Sequence, residues 1–498
     1  MQKGLNHTRI TRRQLLRGMG VGVGLLAIGG LAQACGSEGS TPTSSVKTSS
    51  SPSQVVTPSA SPATAASPTV AVPVGTQPVG YSGPNATLSM WFDTTGGAQG
   101  AKCVVDAAIT PFNSMQSKVK VDPTFRANAW DATRTALAGG GGPDLVGTPG
   151  PSFAVALATA NQLAPLDEYI ARYGWKERYL SWALPLGLVN GKIYSLPNEM
   201  ETLVLYYNKT LFQQHGWKPP RTMDDLMKLA AQIDAAGIIP FAHGNADWRP
   251  ANEWFVGEFL NHVAGPDAVY QALMGQKRWD SPEFIHAIDL LVQMQKNGWF
   301  MGSLARYYTT NTNTRLAAFG DGKAAMDIEG TWVIANLKNY FGKAAHNNNE
   351  WDWVPMPSSS GKEIFDLAIG STMSINANSK NLDAAAYFLD YFFSPEVDAR
   401  VVVHCGVEPA PIKISASQLK GMDPRQIQIF EHLVQASNEG SYGYTTWTFW
   451  PPAAENWLIE KIEDVWAGKM TVKEYLEGHQ KVFDQERKEG KVPPIPKR

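Results

Sequence analysis

From Ala86 onward, short segments of alternating apolar side chains are separated by longer amphipathic segments. The stretch from Leu88 to Phe92 has this two-residue alternation, which predicts a first strand. Further elements are predicted at 101–115 (a helix), 118–121 (a strand) and 144–146 (a strand). Strands that alternate with helices are typical of α/β folds, so we expect this fold class, with largely parallel sheets.

Later helices are predicted from their N-terminal caps and apolar stripes. Thr222 with Asp225, and Thr471 with Glu474, have the spacing of capping boxes at the starts of two helices. A further stripe runs through 385–392. Trp351 and Trp353 alternate on a strand-like run, and Trp457 and Trp466 lie on predicted helices. We interpret all of these features as core.

The composition and the motifs exclude several functions. A chain of 498 residues is longer than one ordinary domain. Its net charge of −2 lacks the excess of positive charge that is typical of nucleic-acid-binding proteins. The sequence contains no Walker phosphate loop, no Gly-x-Ser-x-Gly elbow and no His-Glu-x-x-His motif. Its nine His are at least 19 residues apart, which gives no local metal cluster, so we expect no metal site. With these motifs missing, we also expect no cofactor and no catalytic residues. Paired carboxylates for glycoside hydrolysis remain open, because they meet only in three dimensions.

The first 35 residues have the pattern of an export signal. Arg12 and Arg13 precede an uncharged stretch, 18–34, whose 17 residues include several Gly. Residues 11–17 (TRRQLLR) resemble a twin-arginine signal, and residues 31–36 (LAQACG) resemble a lipobox in which Cys35 is acylated. A retained membrane anchor is the alternative, although this stretch is marginal for a spanning helix.

The segment 36–85 is predicted to be a disordered tether. It contains 27 Ser, Thr or Pro, one aromatic residue and two charges. Such a composition buries too little apolar surface to offset conformational entropy. A tether after a lipid-modified Cys would let the folded part reach out from the membrane surface, whereas a cleaved spacer is the alternative interpretation.

The chain has three Cys, of which Cys35 belongs to the leader. We expect Cys103 and Cys405 to be two buried free thiols rather than a disulfide.

Several segments resemble, in order and spacing, the extracellular solute-binding proteins of ABC importers, in the branch that binds maltose and oligosaccharides. They are 142–146 (GPDLV), 161–170 (NQLAPLDEYI), 190–197 (NGKIYSLP), 201–212 (ETLVLYYNKTLF), 219–223 (PPRTM), 319–326 (FGDGKAAM), 330–332 (GTW), 379–386 (SKNLDAAA) and 394–396 (SPE). Each segment is short, but the series extends from about residue 86 to 480.

The resemblance implies a type II periplasmic-binding-protein-like fold, with two α/β lobes joined by a hinge around an interlobe cleft. By analogy, the first lobe comprises 86–199 and 366–402, and the second comprises 203–364 and 406–490. The crossings are expected near 198–201, near Phe365 and near Cys405. A disulfide between Cys103 and Cys405 would then tie the first lobe to a crossing and stiffen the hinge, a further reason to expect free thiols.

A neutral sugar presents hydroxyls and an apolar ring face, so its site combines carboxylates with flat aromatic side chains. Glu201 and Trp332 lie in segments that carry the resemblance. The other candidates lie in loops or at helix starts near such segments. The predicted ligand-binding residues are Asp93, Trp130, Asp131, Glu201, Asp247, Trp248, Trp332, Trp447 and Trp450. An Asp cap at a helix start explains Trp130 and Asp131 equally well.

The resemblance implies reversible capture of a carbohydrate, without chemistry, outside the cell. The implied partners are a small-molecule solute, an ABC permease and the outer face of the cell membrane, reached through the lipid on Cys35. Two alternatives stay open: a binder of a polyamine or peptide, and an exported carbohydrate-active enzyme. Several converging acids would favour a polyamine, whereas a mixture of acids with Asn, Gln and Arg would favour a sugar.

Overall fold

The computed structural model describes residues 80–94, 98–415 and 417–497. The predicted export signal, Cys35 and most of the predicted tether lie outside these residues. The strands, in chain order, are β1 (Ala86–Asp93), β2 (Val119–Arg126), β3 (Leu145–Thr148), β4 (Leu188–Val189), β5 (Lys192–Ile193), β6 (Ser195–Pro197), β7 (Met200–Glu201), β8 (Leu203–Asn208), β9 (Ile239–Phe241), β10 (Ala324–Gly330), β11 (Trp351–Pro355), β12 (Phe365–Ile369), β13 (Thr372–Ile375) and β14 (Tyr442–Tyr444).

Helices separate most of these strands. The α-helices are α1 (Gln99–Val104), α2 (Thr110–Met115), α3 (Ala129–Ala138), α4 (Pro151–Thr159), α5 (Asp167–Tyr173), α6 (Trp175–Arg178), α7 (Lys209–His215), α8 (Met223–Ala235), α9 (Ala251–Phe259), α10 (Pro266–Leu273), α11 (Pro282–Lys296), α12 (Leu304–Thr309), α13 (Thr312–Gly320), α14 (Ile334–Leu337), α15 (Leu382–Phe392), α16 (Pro395–Cys405), α17 (Pro424–Glu439), α18 (Thr446–Phe449), α19 (Pro452–Trp466) and α20 (Val472–Lys488). Two π-helical turns follow α1 and α9, at Val105–Ile109 and Leu260–Ala264.

The first sheet has the strand order β2-β1-β3-β13-β6. β1 runs parallel to β2 and β3, whereas β13 runs antiparallel to β3 and β6. The predicted alternation in β1 is confirmed, because Leu88 and Met90 are buried. They belong to a core that also contains Phe112 from α2 and Phe388 from α15.

The second sheet has the order β11-β8-β10-β9, with β8 antiparallel to both of its neighbours and β9 parallel to β10. Every residue of β10 is buried. Trp351 and Trp353 of β11 are buried in the second core, as predicted. The sheets are therefore mixed rather than largely parallel.

A third sheet, β14-β12-β7, lies where the chain passes between the other two. β7 follows β6 of the first sheet and precedes β8 of the second, whereas β12 follows β11 and precedes β13. β7 and β12 pair antiparallel, with Glu201 opposite Ala368. Two sheets with separate cores, joined by adjacent crossing strands, form a two-lobe α/β fold.

The lobe limits predicted from the sequence remain a proposal. The limit near Cys405 has to be placed further toward the C-terminus. Ala410 and Ile412 pack in the first core, and the Leu180 amide donates to the Pro411 carbonyl at 2.8 Å. We therefore place the third crossing beyond Ile414, which also packs against the first core, rather than near Cys405.

Cys103 and Cys405 form a disulfide, so the prediction of two free thiols is wrong. The two residues are 302 positions apart in sequence, yet their Cα atoms lie 5.6 Å apart. The reason is tertiary: α16, which ends at Cys405, packs against α1 and the π-helical turn that follows it. Cys405 itself packs against the first core, so the bond closes within the first lobe and does not bridge the hinge.

The predicted helix starts are confirmed. Thr222 with Asp225 forms a capping box at α8, and Thr471 with Glu474 forms one at α20. The predicted helix at 101–115 corresponds to α1, the π-helical turn after it, and α2. No helix within the described ranges combines the length and apolar character needed to cross a bilayer.

Candidate ligand-binding cleft

A cavity of about 760 Å³ lies between the lobes. The first lobe contributes side chains of α3 and α4, and the crossing region contributes Glu201 and Gly370. The second lobe contributes side chains of α9, α13, α19 and the turn at 331–333. This volume lies within the usual range for small-molecule sites, about 300–1,000 Å³.

The fold brings eight of the nine predicted site residues to this cavity. They are Asp93, Trp130, Asp131, Glu201, Asp247, Trp248, Trp332 and Trp447. In sequence they extend from residue 93 to residue 447, and they come from both lobes and the crossing between them. Their position is a structural fact, whereas their role in binding stays a prediction.

Trp450 does not line the cavity, so its predicted placement is wrong. Helix α18 ends at Phe449, and Trp450 continues in extended conformation into the second core, where it is fully buried. Its ring centroid lies 5.0 Å from that of Trp279. Because the helix ends between them, Trp447 and Trp450 reach different environments although they are three positions apart.

Three Trp rings from separate elements follow one another along the second-lobe wall. The centroids of Trp254 and Trp332 are 4.9 Å apart, and those of Trp332 and Trp447 are 6.1 Å apart. The Trp332 ring lies against Gly330, where an added Cβ would come within 2.1 Å of it. Trp254 was not predicted, although it lies in the first turn of the helix that follows Trp248.

Glu201 is the side chain of the first crossing whose carboxyl group lines the cavity. It is 6% exposed, and burial, followed by the neighbouring Glu408 and Glu199, raises its pKa well above the ordinary range. A Cβ at position 370 would lie 2.0 Å from Glu201 Oε1, so the carboxyl group rests directly on the Gly370 backbone. Any larger residue at position 370 would displace it.

Two further carboxyl groups, Glu253 of α9 and Glu455 of α19, also line the cavity and were not predicted. Glu253 is 2% exposed, and its Oε2 has no hydrogen-bond partner among the described residues. Burial and then Glu455 raise the pKa of Glu253 well above the ordinary range. Burial, with a contribution from Glu486, raises the pKa of Glu455 to about 8. Glu455 therefore faces the cavity largely as a neutral acid at pH 7, and burial disfavours the charged form of Glu253 in the same way.

Arg315 of α13 carries positive charge to the same wall. Its Nη1 donates to Asp327 at 2.7 Å, and its Nη2 pairs with Glu329. Burial raises the pKa of Asp327 to about 7, and burial together with Arg315 lowers the pKa of His243 to about 3. His243 is consequently neutral, and Arg315 is the cation that balances this buried group.

Two less buried carboxyl groups at the cavity, the exposed Asp247 and the half-buried Asp93, have protein partners. Asp247 accepts from the Thr312 amide at 3.0 Å and from its hydroxyl at 3.2 Å, at the start of α13. Asp93 accepts from the Ala129 amide at 2.6 Å, at the start of α3.

The alternative explanation for Asp131, a cap at a helix start, is wrong. Asp131 lies inside the first turn of α3, where it pairs with Arg134 at 2.6 Å, and Asn128 is the N-cap residue.

A family model for bacterial extracellular solute-binding proteins matches residues 93–399. An uncharacterized ABC transporter extracellular-binding protein of Pyrococcus horikoshii is 25% identical over 60% of this chain and 66% of its own length. The maltotriose-binding protein of Pyrococcus abyssi is 26% identical over 56% of this chain and 57% of its own length. The chain thus aligns with just over half to two thirds of these relatives.

The solved structure of a chitin oligosaccharide binding protein superimposes with a TM-score of 0.68 at 18% identity. The superposition covers 81% of this chain and 99% of that structure, which supports the two-lobe fold. Because the family model spans well over half of the chain, this protein belongs to the bacterial extracellular solute-binding proteins.

Proposed function

We propose that this protein captures a carbohydrate outside the cell and delivers it to an ABC importer. The observation that carries the proposal is the row of Trp254, Trp332 and Trp447 beside the buried Glu201 in the interlobe cavity. Indole rings cover the C–H face of a sugar, and carboxyl groups form directional hydrogen bonds with its hydroxyls. The amide side chains of Asn128, Asn336 and Asn456 also line the cavity and add further hydrogen-bonding groups.

The similar proteins support this class of ligand. One relative is a maltotriose-binding protein, and one structure with the same fold is a chitin oligosaccharide binding protein. Trp332 and Glu201 also lie within the segments that resemble the sugar-binding branch of the family.

We further propose that the protein works outside the cytoplasm on a lipid anchor. In this proposal residues 1–35 direct export, Cys35 carries the lipid, and residues 36–85 form the tether. The extracellular character of the family supports the location, and the lipobox-like residues 31–36 support the anchor. An ABC permease in the same membrane would then receive the sugar.

Capture without chemistry is the simplest use of this cavity. The enzyme alternative needs one carboxylic acid and one carboxylate on either side of a glycosidic bond. Glu253 and Glu455 are the pair to test for it, because both line the cavity. The pKa of about 8 leaves Glu455 largely protonated at pH 7, and burial raises the pKa of Glu253 as well, which suits hydrogen bonding better than nucleophilic attack.

A cationic solute is the second candidate, and the number of carboxyl groups around the cavity favours it. Six carboxyl side chains line the cavity: Asp93, Asp131, Glu201, Asp247, Glu253 and Glu455. Two Arg side chains line it, Arg134 and Arg315, and both already pair with acids. A polyamine would use this excess of acids, whereas a sugar would use the acids together with the Asn side chains.

A thermal-shift screen distinguishes these candidates. The purified protein is melted with mono- and oligosaccharides, with spermidine, and with amino acids and short peptides. A ligand at a hundred times its dissociation constant stabilises the folded state by about 2.7 kcal/mol. We expect saccharides to raise the melting temperature. A response to spermidine alone would replace the sugar with a cationic solute, and a response to peptides alone would reject both.

A further inference from the structure

A second group of ionisable side chains lies inside the second lobe, apart from the ligand cavity. Glu258 is on α9, His262 is on the π-helical turn that follows it, and Asp366 is on the crossing strand β12. All three are at most 2% exposed. One potential ligand atom from each lies within 4.8 Å of the other two.

None of these side chains is satisfied by the part of the chain that the structure describes. Both carboxyl oxygens of Glu258, both carboxyl oxygens of Asp366 and both ring nitrogens of His262 lack a hydrogen-bond partner there. Buried polar groups are nearly always paired, so six unpaired atoms at one point indicate that something else occupies their lone pairs.

The two distances from His262 Nε2 to the carboxyl groups are longer than usual hydrogen bonds and match the distances between metal ligands. His262 Nε2 lies 3.4 Å from Glu258 Oε2 and 3.6 Å from Asp366 Oδ1. Direct hydrogen bonds between such atoms are about 2.9 Å long. Ligands about 2.0–2.2 Å from a tetrahedral Zn²⁺ lie about 3.3–3.6 Å from one another. His262 therefore lies at a distance from each carboxyl group that would suit ligands of one small cation.

A comparison within the same lobe strengthens this interpretation. His243, Asp327 and Glu329 have the same residue types and the same burial, but there Arg315 inserts between the carboxylates as their counterion. No Lys or Arg among the described residues forms an ion pair with Glu258 or Asp366. This group lacks the positive charge that the other one has.

We propose that Glu258, His262 and Asp366 bind a divalent transition-metal ion, with Zn²⁺ as the best match to one imidazole and two carboxylates. The ion ties α9 to β12, the strand that carries Ala368 opposite Glu201. The site is structural: it neutralises two buried carboxylates and fixes the crossing strand to the second lobe. It is independent of whether the interlobe cavity takes a sugar.

The test measures metal content and stability in the full chain, expressed without a polyhistidine tag. After dialysis against metal-free buffer and addition of ZnCl₂, elemental analysis is expected to find about one equivalent of zinc that survives desalting. Removal of the metal with a chelator is expected to lower the melting temperature by on the order of 5 °C, and ZnCl₂ is expected to restore it. Both measurements are made on the wild-type chain and need no variant.

Two substitutions locate the site. Glu258→Gln and Asp366→Asn are expected to abolish tight zinc binding and the chelator-dependent shift. Glu253→Gln, which alters another buried carboxyl of the same helix, serves as the matched control and is expected to retain both. The proposal is wrong if the wild-type chain binds no metal and the melting temperature of Glu258→Gln equals or exceeds that of the wild type. The group would then be a protonated acid pair. Zinc retained by both ligand variants would place the metal elsewhere and would equally overturn the proposal.

Discussion

Glu455 shows how the cleft changes the chemistry of a single side chain. On an exposed helix face it would be an ordinary carboxylate, but burial raises its pKa from an ordinary value of 4.5 to about 8. The folded protein therefore keeps this proton at pH values where the unfolded chain has released it. A group of this kind opposes folding increasingly as the pH rises from about 4.5 to about 8.

This shift predicts the pH dependence of stability in the variant Glu455→Gln. The free energy of unfolding of the wild type, relative to the variant, is expected to fall between pH 4.5 and pH 8.5, because only the wild type releases the Glu455 proton on unfolding in that range. Urea titrations at both pH values measure this difference. Glu460→Gln, which alters an exposed acid of the same helix, is the control. A constant difference between wild type and Glu455→Gln would contradict the raised pKa.

The site residues differ in how readily the sequence identifies them as candidates for ligand binding. Glu201 and Trp332 lie in segments with a recognisable pattern, and both line the cavity. Trp254, Glu253 and Glu455 lie on helices whose facing surfaces are defined only when α9 and α19 pack beside the cavity. The periodicity of apolar residues along a helix distinguishes its buried face from its solvent-exposed face. It does not show whether the buried face packs in the core or lines a cleft.

Among the helices and strands, the predictable features were those encoded locally. The capping boxes at Thr222 and Thr471 and the alternation in β1 need only neighbouring residues, and all three are confirmed. The antiparallel placement of β8 and β13 depends on strands from distant parts of the chain. The Cys103–Cys405 pair is non-local in the same way, because the packing of α16 against α1 creates it.

The disulfide is expected to stabilise the first lobe without controlling ligand binding. Replacing both Cys103 and Cys405 by Ala should lower the free energy of unfolding by about 2–5 kcal/mol, since the bond closes a long loop. The affinity for ligand should change little, because neither residue lines the interlobe cavity. Urea denaturation and calorimetric titration measure the two effects. A large loss of affinity in a folded double variant would show that the bond acts on the hinge after all.

Considered as a whole, the molecule has a row of three Trp rings facing the space that its two lobes enclose. Helix α4 of the first lobe contacts α18 and α19 of the second across this space, while β7 and β12 connect the lobes at its base. We expect rotation about these crossing strands to open the cavity and to separate α4 from α18 and α19. Ligand that bridges the lobes would favour the closed arrangement.

Calorimetric titration of the purified protein with the saccharide that gives the largest thermal shift is the decisive measurement, followed by chromatography of the recovered sugar. We predict saturable binding with a dissociation constant on the order of micromolar, about −8 kcal/mol, and recovery of the sugar unchanged. Trp332→Ala should weaken binding at least about tenfold, whereas Trp217→Ala, which removes a half-buried indole away from the cavity, should leave it unaltered. Absence of binding by any saccharide, equal affinity in the two Trp variants, or recovery of a cleaved sugar would contradict capture in this cleft.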